Sequence, residues 1–196
     1  MPPRSVPTIG IPLNLVSKAT ILDASEMARV LRRMSLEIAE ANRGTDGLML
    51  VGIRTRGVPM AEALARDFER LEGHHPPIGI LDITLYRDDL SLVAPKPVVR
   101  ESSFPESIDG QVLVLCDDVL YTGRTVRAAL DALLDYGRPK AVQLAALVDR
   151  GWRELPIHAD FVGRKVPTSA TEVIKVSFEA TDGVSKVEIL DRPASG

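Results

Sequence analysis

The sequence has 196 residues, which suits one compact domain and is short for two, because domains commonly contain about 100–200 residues. Hydrophobic residues make up 45% of the chain and charged residues 26%, so the composition excludes general disorder. The longest unbroken apolar runs contain five residues, far fewer than the ~20 that a membrane span requires. The formal net charge of −3 excludes a protein that coats nucleic acid through bulk positive charge.

The N-terminal segment and the cysteine content predict the setting in which the chain works. The first residues lack the continuous apolar stretch of a secretory signal, and Cys116 is the only cysteine, so no internal disulfide can form. We therefore expect a cytoplasmic protein with no membrane segment. Prolines are frequent among the first twenty residues, which predicts an extended tail over residues 1–20 and a single domain over residues 21–196.

Predicted strands and helices alternate along the domain. Asp23 and Glu26 form a capping signal for a helix that ends at Gly44, and a second helix is predicted to run from Pro59 to Gly73. Apolar runs predict strands over residues 48–53, 78–86, 111–116 and 141–148, with a helix over 126–136 and a C-terminal β-hairpin that begins near residue 174. This order predicts an α/β fold with a mainly parallel sheet flanked by helices.

The connection over residues 87–110 has no hydrophobic period. A structureless connection much longer than ~12–15 residues is uncommon unless it is a lid, a binding loop or disordered. We interpret it as a flexible lid over a binding site.

The residues that follow the third predicted strand point to a sugar phosphate. Asp117 and Asp118 come directly after this strand, and a turn with Gly123 leads into a helix that begins near Thr125. Ligands of open parallel sheets gather where the strands end, and a helix N-terminus there attracts phosphate. The carboxylates would repel phosphate, so they suit sugar hydroxyls or the hydration shell of a metal. The alternative is that the two aspartates only cap a turn.

A longer stretch carries a family resemblance. VLVLCDDVLYTGRTVRAALDAL resembles the phosphoribosyl pyrophosphate (PRPP) motif of type I phosphoribosyltransferases. Together with VGIRTRG, DITLYRDDL, LVDRG, RELPI and VPTS, it resembles the members of that family that are bifunctional pyrimidine-operon regulators and uracil phosphoribosyltransferases. The resemblance implies the type I phosphoribosyltransferase fold, with a small hood built from the two chain ends and a flexible loop.

The same resemblance implies roles for individual residues. Asp117 and Asp118 would hold the ribose hydroxyls, and Arg56 would neutralise the departing pyrophosphate. Arg100 is a further catalytic candidate, although a solvated loop arginine is an equal alternative. Mg²⁺ would be the cofactor and would arrive bound with PRPP, because it is seldom held by a cage of protein ligands alone, so no dedicated metal ligand is assigned. The predicted PRPP-binding residues are Thr55, Arg56, Gly57, Asp117, Asp118, Val119, Leu120, Tyr121, Thr122, Gly123, Arg124 and Thr125.

The reaction implied is the transfer of ribose 5-phosphate from PRPP to uracil, which yields UMP and pyrophosphate. Asp149 and Arg150 are candidates for the base pocket, or they form a structural ion pair. A sensor of PRPP and UMP with little catalysis, and a phosphoribosyltransferase for another base, are the alternatives.

The relatives of this kind also bind pyrimidine-operon leader mRNA, which UMP or UTP in the active site favours, and they form homodimers and homotetramers. The RNA-binding candidates here are Arg32, Arg33, Arg153 and Arg164, and the alternative is that they form a solvated face.

Overall fold

The computed structural model describes residues 15–88 and 99–191. Eight strands and four α-helices make up the described part of the chain. In chain order they are β1 (Val16–Leu22), α1 (Ala24–Asn42), β2 (Leu48–Ile53), α2 (Gly57–Glu72), β3 (Ile78–Leu81), β4 (Val112–Leu120), α3 (Arg124–Leu133), β5 (Ala141–Asp149), β6 (Phe161–Lys165), β7 (Glu172–Ser177), α4 (Glu179–Asp182) and β8 (Lys186–Asp191).

The strands form two sheets. The main sheet is parallel throughout, with the strand order β3-β2-β4-β5-β6. One hydrophobic cluster packs α1 and α2 onto one face of this sheet, and a second cluster packs α3 onto the other face. Every residue of β2 is buried, as expected for a strand covered on both faces. The predicted α/β fold with a central parallel sheet is confirmed.

The small sheet joins the two ends of the chain. It is antiparallel, with the order β1-β8-β7, and it forms the expected hood. β1 begins at Val16, so the predicted boundary of the tail at residue 20 is too late, because residues 16–20 pair with β8. Residues 1–14 of the predicted tail lie outside the described residues. No helix in the described ranges is long and apolar enough to cross a membrane.

Local hydrogen bonds explain where other predicted elements end. β3 stops at Leu81 instead of residue 86, because the Asp82 carboxylate accepts the N–H of Thr84 at 2.7 Å and the chain turns into a 3₁₀-helix over Thr84–Tyr86. β4 continues to Leu120, four residues beyond the predicted end, because its backbone still pairs with β5 there. β6 was not predicted from the sequence. Of the predicted lid, residues 89–98 lie outside the described part.

The N-terminus of α1 carries the predicted capping box. The Asp23 carboxylate accepts the N–H of Glu26 at 2.8 Å, and the Glu26 carboxylate accepts the N–H of Asp23 at 2.9 Å. We predict that Asp23→Ala lowers the free energy of unfolding by about 1 kcal/mol, the usual cost of a lost N-cap. Urea unfolding measures this change. Asp46→Ala is the control, because Asp46 is exposed in the turn between α1 and β2. An equal loss of unfolding free energy in both variants would contradict the capping role.

Candidate active site

The turn between β4 and α3 presents a helix N-terminus. Gly123 precedes α3 with φ +93°, a left-handed conformation that glycine adopts without strain, and as the N-cap residue it has no side chain that could accept a helix amide. The Thr122 hydroxyl accepts the N–H of Arg124 at 3.3 Å. Amides and the positive end of a helix dipole therefore lie beside an open cavity of about 240 Å³, the phosphate-loop cavity, which is lined by residues 119–126 together with Arg87, Asp117 and Glu154.

Segments distant in sequence hold this turn in place. The Thr122 carbonyl accepts the N–H groups of Glu154 and Leu155 at 3.0 and 3.1 Å. Arg124 forms ion pairs with Glu154 at 2.7 Å and with Asp88 at 2.6 Å. Sequence reasoning missed Glu154 and Asp88, because no local pattern connects an acidic residue with an arginine thirty or more residues away. The two ion pairs of Arg124 therefore connect this turn to Glu154 and Asp88.

The two aspartates lie on opposite faces of β4. Asp117 lines the phosphate-loop cavity, whereas Asp118 lines a second cavity of about 120 Å³ beneath β7 and β8, which we call the sub-hood cavity. This separation follows from strand geometry, since successive side chains point to opposite faces. Arg56 of the loop before α2 shares the sub-hood cavity with Asp118. The pair therefore faces a helix N-terminus on one side and a cationic side chain on the other.

Burial dominates the electrostatics of this pair. It raises the pKa of Asp117 well above its ordinary value, and the adjacent Asp118 charge raises it further. Burial also raises the pKa of Asp118, although Arg56 partly opposes this shift. Both carboxylates thus carry a desolvation cost that hydrogen-bond donors of a ligand would offset.

The raised pKa of Asp117 makes a pH-dependent prediction. Because the folded pKa exceeds the unfolded one, the folded state binds the extra proton, and stability falls as the pH rises from the unfolded pKa through the folded pKa. Asp117→Asn removes this loss, so we expect its Tm at pH 7 to exceed that of the wild type by roughly 2–4 °C, about 1 kcal/mol, with a smaller gain near pH 4. Thermal unfolding at both pH values measures the gain. A gain that is larger near pH 4 would show the opposite sign and contradict the assignment.

The loop between β2 and α2 approaches β4 closely. A Cβ on Gly57 would lie 2.1 Å from the Cys116 carbonyl oxygen, so only glycine fits at this position. The Arg54–Thr55 peptide bond in this loop is cis. Arg54 donates to the Glu101 carbonyl at 3.3 Å, and the N–H of Arg100 is bound by the Asp82 carboxylate at 2.8 Å. Arg100 is therefore next to the residue that contacts this loop, and its side chain is exposed.

The two base-pocket candidates line a third cavity. It has a volume of about 380 Å³ and includes Trp152, Lys165 and Thr168, and we call it the base-side cavity. Asp149 forms an ion pair with Arg153 at 2.6 Å. Arg150 is buried, donates to the Thr168 hydroxyl at 3.0 Å and to the Glu172 carbonyl at 2.8 Å, and stacks over Tyr121 at 4.1 Å.

The four RNA-binding candidates occupy different surroundings. Arg153 donates to the carbonyls of Leu120, Tyr121, Gly151 and Ile157, so its side chain is used inside the loop that follows β5. Arg33 on α1 binds Glu37 and carbonyls of β6, and Arg164 on β6 binds the Ile21 carbonyl of β1 at 3.3 Å. Arg32 lines a groove between α1 and α2. Arg33 and Arg164 thus share one region, and Arg153 lies apart, at the turn that follows β4.

The described residues contain no group of three or more His, Cys, Asp or Glu side chains placed to hold a metal ion. The carboxylate pair on β4 supplies hard oxygen donors, which suit the hydration shell of Mg²⁺. These carboxylates therefore fit a hydrated magnesium ion.

Comparison with known proteins agrees with this geometry. The model of the phosphoribosyl transferase domain matches residues 17–181, and the chain belongs to the phosphoribosyltransferase family. Among curated relatives it is 58% identical over 175 residues to the bifunctional protein PyrR of Thermus thermophilus, covering 89% of this chain and 97% of the relative. The bifunctional protein PyrR of Deinococcus radiodurans is 56% identical over 174 residues, covering 89% and 95%.

Solved structures show the same fold at low identity. The hypoxanthine phosphoribosyltransferase of Trypanosoma cruzi superposes with a TM-score of 0.69 at 15% identity and covers 89% of this chain and 97% of its own. A hypoxanthine phosphoribosyltransferase of Staphylococcus aureus gives a TM-score of 0.67 at 17% identity, covering 90% and 94%. At this identity the likeness establishes the fold and does not define the base.

Proposed function

We propose that the chain is a uracil phosphoribosyltransferase that forms UMP and pyrophosphate from uracil and PRPP, and that it also regulates pyrimidine-operon expression by binding mRNA in response to nucleotides. The relatives at 56–58% identity are named bifunctional proteins, which supports two activities in one chain. One observation in the structure carries the enzymatic part. The carboxylates of Asp117 and Asp118, in the C-terminal half of β4, lie between a helix N-terminus and a cationic loop, and PRPP has a pentose between a phosphate and a pyrophosphate.

This arrangement supports an orientation of PRPP in which one end lies on each side of the strand. We place the 5-phosphate in the phosphate-loop cavity, against the amides of residues 122–125, and the pyrophosphate near Arg56 in the sub-hood cavity. Asp117 and Asp118 accept hydrogen bonds from the ribose hydroxyls between them, and these donors offset the desolvation of both carboxylates. Uracil lies on the side of the base-side cavity, close to Asp149 and Arg150.

The protein has little acid–base chemistry to perform in this transfer. The transition state resembles the oxocarbenium ion of glycoside cleavage, and its positive charge is stabilised by the carboxylate pair. Arg56 and Arg100 offset the negative charge of the departing pyrophosphate. When Mg²⁺ is bound with PRPP, Asp117 and Asp118 would contact its hydration shell, and its charge would add to that of Arg56.

Steady-state formation of UMP from uracil and PRPP with Mg²⁺ tests the enzymatic proposal. We expect turnover with uracil and little or none with hypoxanthine or guanine in the same assay. An absence of UMP would overturn the enzyme and favour a sensor of PRPP and UMP, and turnover with a purine base would show a phosphoribosyltransferase of different specificity.

Gel-shift titration with the leader RNA of the chain's own pyrimidine operon tests the regulatory proposal. We expect UMP or UTP to increase the affinity, and an affinity that UMP leaves unchanged would contradict coupled regulation. Arg32, Arg33 and Arg164 remain the RNA-binding candidates, and Arg153 is a less suitable one because its donors are used internally.

Light scattering tests the accompanying expectation of a homodimer or homotetramer. A cytoplasmic location fits the single buried cysteine, Cys116.

A further inference from the structure

An ion pair connects the hood to the loop that precedes α2. Arg56 Nη2 donates to Asp182 Oδ1 at 2.8 Å, across 126 residues of sequence. The side chains are only 32% and 20% exposed, so this contact is shielded more than most surface pairs. No sequence pattern had indicated a role for Asp182, which is the last residue of α4.

Hydrogen bonds from its own helical turn hold the Asp182 carboxylate in place independently of Arg56. Its Oδ2 accepts the N–H of Phe178 and the hydroxyl of Thr181, both at 2.9 Å. Burial would raise the pKa of Asp182, but the hydrogen bonds from Phe178 and Thr181 and the charge of Arg56 outweigh it, so this pKa lies below its ordinary value. Asp182 is therefore a charged and preorganised anchor.

The Arg56 guanidinium has one buried donor that can still bind a ligand. Its Nε is buried and has no hydrogen-bond partner among the described residues, although Arg56 faces the sub-hood cavity together with Asp118. A guanidinium is planar, so fixing one Nη fixes the direction of the other donors. A buried donor without a partner is costly and is satisfied when an acceptor enters the cavity.

We propose that Asp182 is a positioning residue that aims Arg56 at the pyrophosphate of PRPP. The proposal rests on the proposed function, because only that function identifies the pyrophosphate of PRPP as the ligand of Arg56. Asp182 touches no substrate and acts through Arg56. It also makes the hood part of the pyrophosphate site, since the anchor belongs to α4 and not to the loop that carries Arg56.

Kinetics of Asp182→Asn test this role. We expect the KM for PRPP to rise roughly three- to tenfold, as when one charged partner of a partly buried pair is lost, while kcat and the KM for uracil change less than about twofold. Calorimetry should show a similar loss of pyrophosphate affinity in the presence of Mg²⁺. Asp182→Glu keeps the charge and shifts it by one methylene, so an intermediate effect is expected, and this variant serves if Asp182→Asn does not fold.

A double-mutant cycle separates positioning from a structural effect. In an Arg56→Met background, Asp182→Asn should change the KM for PRPP no further. Lys18→Met is the matched control, because it breaks another hood ion pair, Lys18–Glu172 at 2.6 Å, without touching Arg56. An unchanged KM for PRPP in Asp182→Asn, an equal rise in Lys18→Met, or a full additional rise in the Arg56→Met background would overturn the proposal. If the wild type makes no UMP, the proposed function fails, and pyrophosphate calorimetry still decides whether Asp182 aims Arg56.

Discussion

Replacing Asp118 with asparagine is expected to lower kcat for UMP formation by about 10²–10³, the usual range for removing one group that stabilises a transition state. Asp118 lies in the sub-hood cavity beside Arg56, where a carboxylate can bind a ribose hydroxyl and stabilise the developing positive charge. Asparagine keeps the size and one acceptor but removes the charge. Steady-state kinetics with saturating uracil and PRPP measure the loss.

The stability of Asp118→Asn should not fall with its activity. Burial raises the pKa of Asp118, so the ionised carboxylate costs folding free energy at neutral pH, and the variant should unfold at the same Tm or a higher one. Asp131→Asn is the control, because Asp131 pairs with Arg127 on the exposed side of α3, and its kcat should stay within about twofold of the wild type. Wild-type kinetics in Asp118→Asn would contradict the ribose-hydroxyl role.

Gly57→Ala is expected to be the most damaging glycine-to-alanine substitution among the residues that the structure describes. The added Cβ would stand 2.1 Å from the Cys116 carbonyl oxygen, which is backbone of β4 and cannot rotate away. The loop before α2 must shift, and we expect a loss of about 3 kcal/mol in the free energy of unfolding together with at least a tenfold rise in the KM for PRPP. Urea unfolding and kinetics measure the two effects.

Gly110→Ala is the matched control for Gly57→Ala. Gly110 has φ +72° and nothing within 4 Å of the added Cβ. Alanine at this position therefore strains the backbone but does not clash with any other atom. We expect it to cost about 1 kcal/mol and to leave the KM for PRPP unchanged. If Gly57→Ala lowered the free energy of unfolding no more than Gly110→Ala does, this would contradict the close approach of the loop to β4.

Local signals allowed the elements of the fold to be predicted, but not all of their ends. The capping box at Asp23 and the continuous apolar run of β2 are contained in short stretches, and both are confirmed. β4 was predicted to end at Cys116, where the apolar residues stop, yet it continues to Leu120 because pairing with β5 depends on backbone groups and not on side-chain polarity. β6 was missed because five residues with Gly163 and two cations carry no clear strand period.

The candidate site, like the fold, could be predicted from the sequence only in part. The turn over residues 121–125 could be interpreted from the sequence because strand, glycine and helix follow one another directly. The contacts of Arg153 and Arg56 could not, because their partners come from segments that only the folded chain brings together. Arg153 therefore looked like a free cation for RNA, whereas four carbonyl groups and Asp149 surround it.

A crystal structure of the chain with PRPP and Mg²⁺ tests the central claim most directly. The account predicts the 5-phosphate at the amides of residues 122–125, the ribose hydroxyls at Asp117 and Asp118, and the pyrophosphate within hydrogen-bond distance of Arg56. Density for PRPP at any other place, or with its two ends exchanged between the cavities on either side of β4, would contradict it.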